Sequence, residues 1–404
     1  MRRLLHLLAT LSFVAGAATA TAAATPAAAP APKAPAIQLP QPPDIAAPSY
    51  LVMDVNSGQI LAGKDIDSPV EPASLTKLMT AYVVFDALRT KKITLTQTLP
   101  ISEQAWKAPG SRMFVQVDTQ VPVEDLIKGM IVQSGNDAAV ALAEGVGGTV
   151  QHFVELMNEQ AQALGMKNTS YKNPDGLPEA GHVTTARDLA TLTAHLLKDF
   201  PEDSKYFAIK KYLYPGTPKS NDTNRNRMLF LDPTVDGMKT GHTQAAGYCQ
   251  VTTAKRDFPN LKGRQIIAVL LHANSDRERT SDSQKLLNWG YTAYEDVQLF
   301  AADAPAASPR VWKGTASELK LGRLNGPIVV SVPAGQAKQI KTEIARPDPL
   351  IAPYKKGQTV ATLKVSLGDQ ALAEVPLVVL QDVPEAGFFS RVWDAIRLWI
   401  HAKV

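Results

Sequence analysis

Apolar residues recur every three or four positions in several stretches of the first 300 residues, which is the spacing of one face of a helix. The pattern predicts a helix over residues 72–88, because Pro72 suits the first turn of a helix. A second helix is predicted over residues 123–132, where Glu124 and Asp125 suit the positive end of the helix dipole. Further helices are predicted at residues 152–164, 185–197 and 276–294.

Short apolar runs typical of strands lie on both sides of this helical middle. Residues 50–55 and 60–62 flank Asn56-Ser57-Gly58 and predict a hairpin. Later runs predict strands at residues 236–240, 247–253 and 266–272. Strands at both ends of a helical middle predict an α+β fold over residues 48–298, with an antiparallel sheet, helices packed on it and a helical subdomain.

The pattern changes after this region. Short β-rich runs separated by Gly and Pro predict a small all-β domain over residues 299–383. Within residues 384–404, apolar and aromatic side chains fall on one helix face and mostly basic ones on the other. This is typical of an amphipathic helix that lies in a membrane interface, and a terminal helix docked on its own domain is the alternative.

The first residues have the pattern of a secretory signal. Arg2 and Arg3 precede an apolar stretch over residues 4–17 and small residues around 20–24, so residues 1–24 are expected to be removed on export. An uncleaved membrane anchor is the alternative, but the apolar run is shorter than the roughly 20 residues that span a bilayer. Residues 25–47 are rich in Ala and Pro and predict a linker.

Composition narrows the function classes. The chain has 404 residues, 45% apolar and 20% charged, as a folded globular protein has. Without Arg2 and Arg3 the formal net charge falls from +4 to +2, which argues against nucleic acid as a partner. The seven histidines show no paired ligand spacing, so neither a metal nor another cofactor is expected. Cys249 is the single cysteine, which excludes an intrachain disulfide.

Three short motifs carry the candidate chemistry: Ser74-Leu75-Thr76-Lys77, Ser134-Gly135-Asn136 and Lys239-Thr240-Gly241. In the first, Lys77 lies one helical turn beyond Ser74 on the same face, so its amine can reach the hydroxyl. A serine hydroxyl becomes a good nucleophile when a neighbouring base takes its proton, and burial prepares a lysine for that task. Alone, this spacing is also common in solvated helices.

The other two motifs suit a peptide substrate. Ser134 is expected to relay a proton, and Asn136 to orient the substrate, from a turn that Gly135 permits after the second helix. An ordinary helix C-cap turn is the alternative. The third motif ends a predicted strand, where Lys239 is expected to add positive charge near Ser134 and to help bind the substrate. Gly241 has no side chain to obstruct a peptide added along the strand edge.

Together the motifs resemble those of the penicillin-binding proteins and serine β-lactamases. Ser-Gly-Asn and the longer string from Val235 to Thr243 resemble the low-molecular-mass D-alanyl-D-alanine carboxypeptidases. The resemblance implies that Ser74 attacks the carbonyl between the last two D-alanines of a peptidoglycan stem peptide. It also implies that β-lactam antibiotics acylate the same serine, and that the C-terminal helix lies on the periplasmic face of the inner membrane.

The resemblance further assigns substrate-binding residues. Thr240 is expected to bind the terminal carboxylate, and the backbone N–H of His242 to complete the oxyanion hole. An arginine before the last helix of the catalytic domain is implied as a second carboxylate ligand. Spacing favours Arg279, and Arg277 is its rival; a guanidinium binds a carboxylate in bidentate fashion.

The same motifs are also compatible with three other functions. A β-lactamase needs a glutamate that activates the deacylating water, and Glu179 lies in the right stretch but in a different sequence context. A peptidoglycan DD-endopeptidase uses identical chemistry on a different leaving group. A non-catalytic cell-wall morphology protein would retain the scaffold without needing Ser74.

Overall fold

The computed structural model describes residues 39–259 and 261–401. The predicted signal segment lies outside these residues, as does the greater part of the predicted linker. The end of that linker packs on the body of the protein, where Ile45 and Ala47 are buried. The backbone N–H of Ala46 donates to Asp282 at 3.3 Å.

An antiparallel sheet forms the centre of the first 300 residues. Its strands are β1 (Ser49–Asp54), β2 (Ile60–Lys64), β5 (Val235–Thr243), β6 (Gly247–Arg256) and β7 (Arg264–Ala273), and a separate ribbon consists of β3 (Thr98–Pro100) and β4 (Gln120–Pro122). The order in the sheet is β2-β1-β7-β6-β5, so β5 is an edge strand. The predicted hairpin is β1 and β2, and the three later strands were predicted too short.

Helices cover both faces of this sheet. The helices of this region are α1 (Lys77–Arg89), α2 (Glu103–Lys107), α3 (Val123–Val132), α4 (Asn136–Gly147), α5 (Val150–Ala163), α6 (Ala186–Asp199), α7 (Met228–Leu231) and α8 (Asp276–Ala293), and among them α6 and α8 pack on the sheet. Alternate residues of β7 point to opposite faces, as the pleat requires. Ile267 and Val269 join the core under the helical middle, whereas Ile266 and Ala268 join the core under α8.

The predicted helices are confirmed, with ends that shift by a few residues. The sequence pattern missed the short helices α2 and α7 and, among the longer helices, α4. Its residues from Asn136 to Ala143 are all buried, so this stretch has no polar face and no amphipathic period to detect. The α+β prediction, with a helical subdomain between the strands of one sheet, is correct.

The chain then enters a β-rich region, as predicted. Its strands are β8 (Tyr294–Phe300), β9 (Pro305–Ala307), β10 (Val311–Trp312), β11 (Leu321–Gly322), β12 (Ile328–Pro333), β13 (Ile340–Ala345), β14 (Leu350–Ile351), β15 (Thr359–Leu367) and β16 (Gln370–Val379). The main sheet has the order β13-β15-β16-β11-β9, while β8 pairs with β12 and β10 pairs with β14.

The last helix, α9 (Phe388–His401), has an exposed apolar face. Phe389 is 87% exposed and Trp399 61% exposed, and its other exposed apolar residues are Phe388, Val392, Trp393, Ile396 and Ile400. The helix is hydrogen-bonded to the β-rich region, where the Lys313 N–H donates to the Asp394 carboxylate at 2.7 Å. Across the described parts of the chain, every helix is too short or too polar to cross a bilayer.

A buried arginine joins the central sheet to the β-rich region. Arg264 donates from Nε to Asp54 Oδ2 at 2.9 Å, and Asp296 Oδ1 lies 3.3 Å from the same nitrogen. Ser331 on β12 donates to Asp296 at 2.6 Å. Burial, followed by the charge of Asp54, raises the pKa of Asp296 to about 7. Two carboxylates from different parts of the chain thus depend on one guanidinium.

Replacing Arg264 by Met should lower the free energy of unfolding by about 3–5 kcal/mol, because the buried Asp54 carboxylate and the ionised fraction of Asp296 lose their counter-charge. Urea unfolding at pH 7 measures the change. The matched control is Arg346→Met, whose ion pair with Asp348 lies at the surface and is worth about 0–1 kcal/mol. Equal losses in the two variants would contradict the idea that Arg264 holds the two regions together.

Candidate active site

Ser74 lies in a tight 3-10 turn, Ala73–Thr76, immediately before α1. Ala73 has a left-handed backbone with φ +46°, which costs a residue with a Cβ about 1–2 kcal/mol. Leu75 is fully buried and Ser74 half-buried, so the turn is fixed from below while the hydroxyl stays accessible. Strain of this kind is common where a fold aims a reactive group.

Lys77 reaches Ser74 as the helical spacing predicted. Its Nζ lies 3.0 Å from Ser74 Oγ, 2.7 Å from Asn136 Oδ1 and 2.6 Å from the backbone oxygen of Asp175. The side chain is 1% exposed. Desolvation by this burial lowers the pKa of Lys77 to about 8, although the charges of Asp175 and Asp137 oppose the change.

The three acceptors around Lys77 match the three N–H bonds of an ammonium group. After loss of one proton, two N–H bonds remain for Asn136 and the Asp175 carbonyl. The lone pair then faces Ser74 Oγ. The site therefore holds the amine in position to accept the serine proton.

Ser134 lies between α3 and α4, two residues before Asn136, to which Lys77 is hydrogen-bonded. The sequence predicted that Gly135 supplies the tight turn, and this is wrong. Ser134 itself has the left-handed backbone, with φ +61°, whereas Gly135 is conventional. A Cβ at Gly135 would lie 2.8 Å from Asp137 and 3.1 Å from the Met113 nitrogen, so glycine is required there for packing.

Lys239 on β5 faces Ser134. Its Nζ donates to Ser134 Oγ and to the Thr240 carbonyl, both at 2.9 Å. Desolvation lowers the pKa of Lys239 well below its usual value, and the positive charges of Lys77, Arg225 and Arg279 lower it further. A proton therefore leaves Lys239 more readily than an exposed lysine, so the fixed positive charge expected from the sequence is not secured by this setting.

The edge strand β5 brings Thr240, Gly241 and His242 to the cavity. From the sequence, Gly241 is expected to leave space for a substrate strand. The structure gives another reason, because a Cβ on Gly241 would lie 3.0 Å from the Pro72 oxygen and 3.2 Å from the Leu75 nitrogen. Glycine allows the strand to approach the turn that carries Ser74. His242 is exposed, and its ring lies 4.0 Å from that of Tyr248.

Both candidate arginines line the cavity, in different settings. Arg279 is buried and donates to the Gly241 carbonyl at 3.1 Å and to Asp276 at 2.5 Å. Burial lowers the pKa of Arg279, and Asp276 opposes this change. Arg277 is exposed at the rim. The structure thus places Arg279 beside the Lys-Thr-Gly strand and leaves Arg277 to solvent.

These groups surround one open cavity of about 890 Å³. Ser74, Ser134 and Thr240 contribute to its wall, and the lining includes further cationic and apolar residues that the sequence motifs did not indicate: Arg225, Arg227, Phe230 and Leu231. Only one acidic side chain, Asp276, is in the described lining. A site of this size and charge fits an anionic peptide terminus.

Sequence reasoning missed two aspartates near the nucleophile. Asp175 is 4% exposed and supplies the carbonyl that binds Lys77, and its burial raises the pKa of its carboxyl group. Asp137 is fully buried and accepts from the backbone of Met113 and Phe114, which fixes a loop beside the cavity. Its position directly after the second motif is the one feature of the sequence that indicated a role for Asp137.

Glu179, the glutamate that a β-lactamase reading of the sequence requires, is exposed and hydrogen-bonded to Asn173 at 3.1 Å.

Two family profiles match the chain. The D-alanyl-D-alanine carboxypeptidase profile matches residues 36–275, and the profile of the C-terminal domain of penicillin-binding protein 5 matches residues 294–385. Among named proteins, D-alanyl-D-alanine carboxypeptidase DacC of Escherichia coli is 40% identical over 374 residues, which cover 91% of each chain. A D-alanyl-D-alanine endopeptidase of Pseudomonas aeruginosa is 35% identical over 77% of this chain and 94% of its own length.

Solved structures agree with the profiles. Penicillin binding protein 5 from Haemophilus influenzae superposes with a TM-score of 0.78 at 38% identity, covering 85% of this chain and 99% of that one. Penicillin-Binding Protein D2 from Listeria monocytogenes, in a cefotaxime-bound form, gives a TM-score of 0.56 at 30% identity over 62% of this chain and all of that one. This chain belongs to the D-alanyl-D-alanine carboxypeptidase family of penicillin-binding proteins.

Proposed function

We propose that this protein is a serine-type D-alanyl-D-alanine carboxypeptidase that removes the terminal D-alanine from peptidoglycan stem pentapeptides. The observation that carries the proposal is the 3.0 Å contact between the buried Lys77 amine and Ser74 in an open cavity. Family membership supplies the substrate class, since the named relatives are D-alanyl-D-alanine carboxypeptidases.

Acylation follows from the contacts around Ser74. The neutral amine of Lys77 takes the Oγ proton while Oγ attacks the carbonyl of the penultimate D-alanine. The carbonyl oxygen becomes an oxyanion and accepts from the backbone N–H groups of Ser74 and His242. Thr240 and Arg279 hold the terminal carboxylate, for which Arg279 exchanges part of its contact with Asp276.

Collapse of the tetrahedral intermediate breaks the C–N bond. The departing amine nitrogen takes a proton from Ser134, which Lys239 contacts at 2.9 Å and resupplies. D-Alanine leaves, and the acyl group stays as an ester on Ser74. Before deacylation, Lys77 releases to solvent the proton that it took from Ser74, and Lys239 regains from solvent the proton that it gave to Ser134. Water then attacks the ester while the neutral Lys77 amine takes one water proton, and Lys77 passes this proton to Ser74 Oγ as it leaves. Asn136, held by Lys77 and by the Pro109 carbonyl at 2.6 Å, orients the acyl chain.

β-Lactams should acylate the same serine, because their strained amide enters the cavity in place of the D-alanyl-D-alanine bond. The support is the cefotaxime-bound form of the related Listeria protein. The β-lactamase alternative gains no support, because Glu179 is exposed and hydrogen-bonded to Asn173. The endopeptidase reaction uses the same groups, and a crosslinked dimer as substrate tests for it.

Brief exposure to benzylpenicillin should add the mass of one drug molecule to the wild type and none to Ser74→Ala, as measured by mass spectrometry of the intact protein. D-Alanine should be released from a pentapeptide by the wild type only. A crosslinked dimer assayed in parallel separates carboxypeptidase from endopeptidase. A Ser74→Ala variant that still releases D-alanine would contradict the assignment of the nucleophile, and an inert wild type would favour a non-catalytic scaffold.

The acylation rate should depend on pH through Lys77. Because burial lowers the pKa of Lys77 to about 8 and only the neutral amine accepts a proton, the rate should rise about tenfold per pH unit below pH 8 and level off above it. Stopped-flow acylation by a chromogenic β-lactam between pH 5.5 and 9.5 measures this. Lys77→Arg is the control, because a guanidinium stays protonated throughout. A flat profile would exclude Lys77 as the base.

We further propose that the enzyme is exported and lies on the periplasmic face of the inner membrane through α9. The signal-like residues 1–24 support export, and the exposed apolar face of α9 supports insertion into a lipid interface. Arg391 and Arg397 on the same helix suit anionic headgroups. The β-rich region would then separate the active site from the lipid surface.

Removal of residues 388–404 should release the protein from anionic phospholipid vesicles, because the exposed aromatic face is then lost. Vesicle flotation measures the bound fraction. The double variant Phe389→Glu/Trp393→Glu should also fail to bind the vesicles. Leu213→Glu is the control, because Leu213 is an exposed apolar residue outside α9, and this variant should bind as the wild type does. Turnover of a soluble pentapeptide should stay unchanged. A truncated protein that still floats with the vesicles would rule out α9 as the anchor.

A further inference from the structure

A buried chain of hydrogen bonds leads from the segment after α5 to the turn that carries Ser74. His182 Nε2 lies 2.8 Å from Thr76 Oγ1. Thr76 Oγ1 lies 2.8 Å from the carbonyl oxygen of Ala73, the residue before Ser74. His182 is 2% exposed and Thr76 is fully buried, so water does not compete for these contacts.

The direction of each bond follows from its neighbours. The backbone N–H of Lys172 donates to His182 Nδ1 at 3.2 Å, so this nitrogen carries no proton. The proton of neutral His182 is therefore on Nε2, which donates to Thr76. Because Thr76 accepts from His182, its own hydroxyl proton is directed to the Ala73 carbonyl. Each donor in the chain has one acceptor.

The hydrogen-bond chain ends at Ala73, which has the strained backbone of the turn that carries Ser74. Ala73 has a left-handed φ of +46°, and such a backbone persists only where surrounding contacts determine it. The same carbonyl also touches the segment that precedes His182. A Cβ on Gly176 would lie 1.8 Å from the Ala73 oxygen and 2.9 Å from Thr76 Oγ1. Close packing on one side and a hydrogen bond on the other thus fix this carbonyl.

We propose that His182 is a positioning residue for acyl transfer, which acts through Thr76 on the Ala73 carbonyl and thereby aims the hydroxyl and backbone N–H of Ser74. The proposal rests on the proposed acyl transfer and adds a residue outside the three motifs. Among the described residues, His182 is not part of the cavity lining, and the hydrogen bonds of its ring go to Thr76 and to the Lys172 backbone. Its imidazole accepts from the Lys172 N–H at Nδ1 and donates to Thr76 at Nε2, so it links these two residues.

The surroundings of His182 keep its ring neutral, which these two hydrogen bonds require. Desolvation lowers the pKa of His182 to about 4, although the charge of Glu179 opposes this, so the ring is neutral at ordinary pH. The edge contact with Tyr171, at 5.8 Å between ring centroids, holds the ring plane. A protonated ring would have N–H on both nitrogens and would oppose the Lys172 N–H.

The test compares His182→Leu with His182→Gln. Leucine fills similar space but cannot hydrogen-bond, whereas the glutamine amide can donate to Thr76 and accept from the Lys172 N–H. Leucine should lower both kcat and the β-lactam acylation rate constant about 10- to 100-fold, since misaligned reacting groups cost that much, with KM little changed. Glutamine should recover most of that loss. Thr76→Val and Thr76→Ser form a second matched pair with the same expected order.

Titration with a labelled penicillin separates positioning from folding. Under the proposal, His182→Leu takes up one label per molecule, slowly, and the double variant with Thr76→Val loses no more rate than the worse single variant. If labelled sites of His182→Leu react at the wild-type rate, or if His182→Gln is as slow as His182→Leu, the proposal is overturned. A wild type that takes up no label overturns the proposed function and this proposal with it.

Discussion

Burial of the Lys77 amine is the constraint around which the active site is organised. An ammonium group inside a protein needs acceptors for all its protons, and Lys77 finds them in Ser74, Asn136 and the Asp175 carbonyl. No carboxylate oxygen among the described residues forms an ion pair with this nitrogen. The amine is therefore held in place without a fixed counter-ion, which favours release of its proton.

Three separate parts of the chain must meet for this arrangement to exist. Helix α1 carries Lys77, α4 begins with Asn136, and the segment after α5 contributes Asp175. The central sheet is a fourth part of the chain that contributes to the site, because its edge strand β5 brings Lys239 within hydrogen-bonding distance of Ser134. Both lysines are buried, and the charge of Lys77 lowers the pKa of Lys239. The two lysines are therefore linked electrostatically, and a substitution of Lys77 also changes the pKa of Lys239.

The sequence predicted the parts of the site that depend on local spacing. The three-residue step from Ser74 to Lys77 predicts that the amine reaches the hydroxyl, and strands at both ends of a helical middle predict the α+β fold. Contacts distant in sequence were not predictable in this way. Neither the Asp175 carbonyl nor His182 has a local pattern, and the fully buried α4 has no amphipathic period. Gly135 and Gly241 were correctly singled out from the sequence, but for the wrong reason. In the structure each is a glycine because a Cβ would collide with a neighbouring segment of the chain.

Arg279 shows how substrate binding can be coupled to this unit. Its guanidinium already donates to the carbonyls of Gly241 and Cys249 and to Asp276, so under the proposed function a substrate carboxylate adds a further partner to this set. The carboxylate must compete with Asp276, which also contacts Arg227 at 2.8 Å. A terminal carboxylate therefore gains less energy here than at a free arginine. In return it binds a cation whose position beside Gly241, and so beside Ser74, is fixed before the substrate arrives, which favours accurate alignment over tight binding.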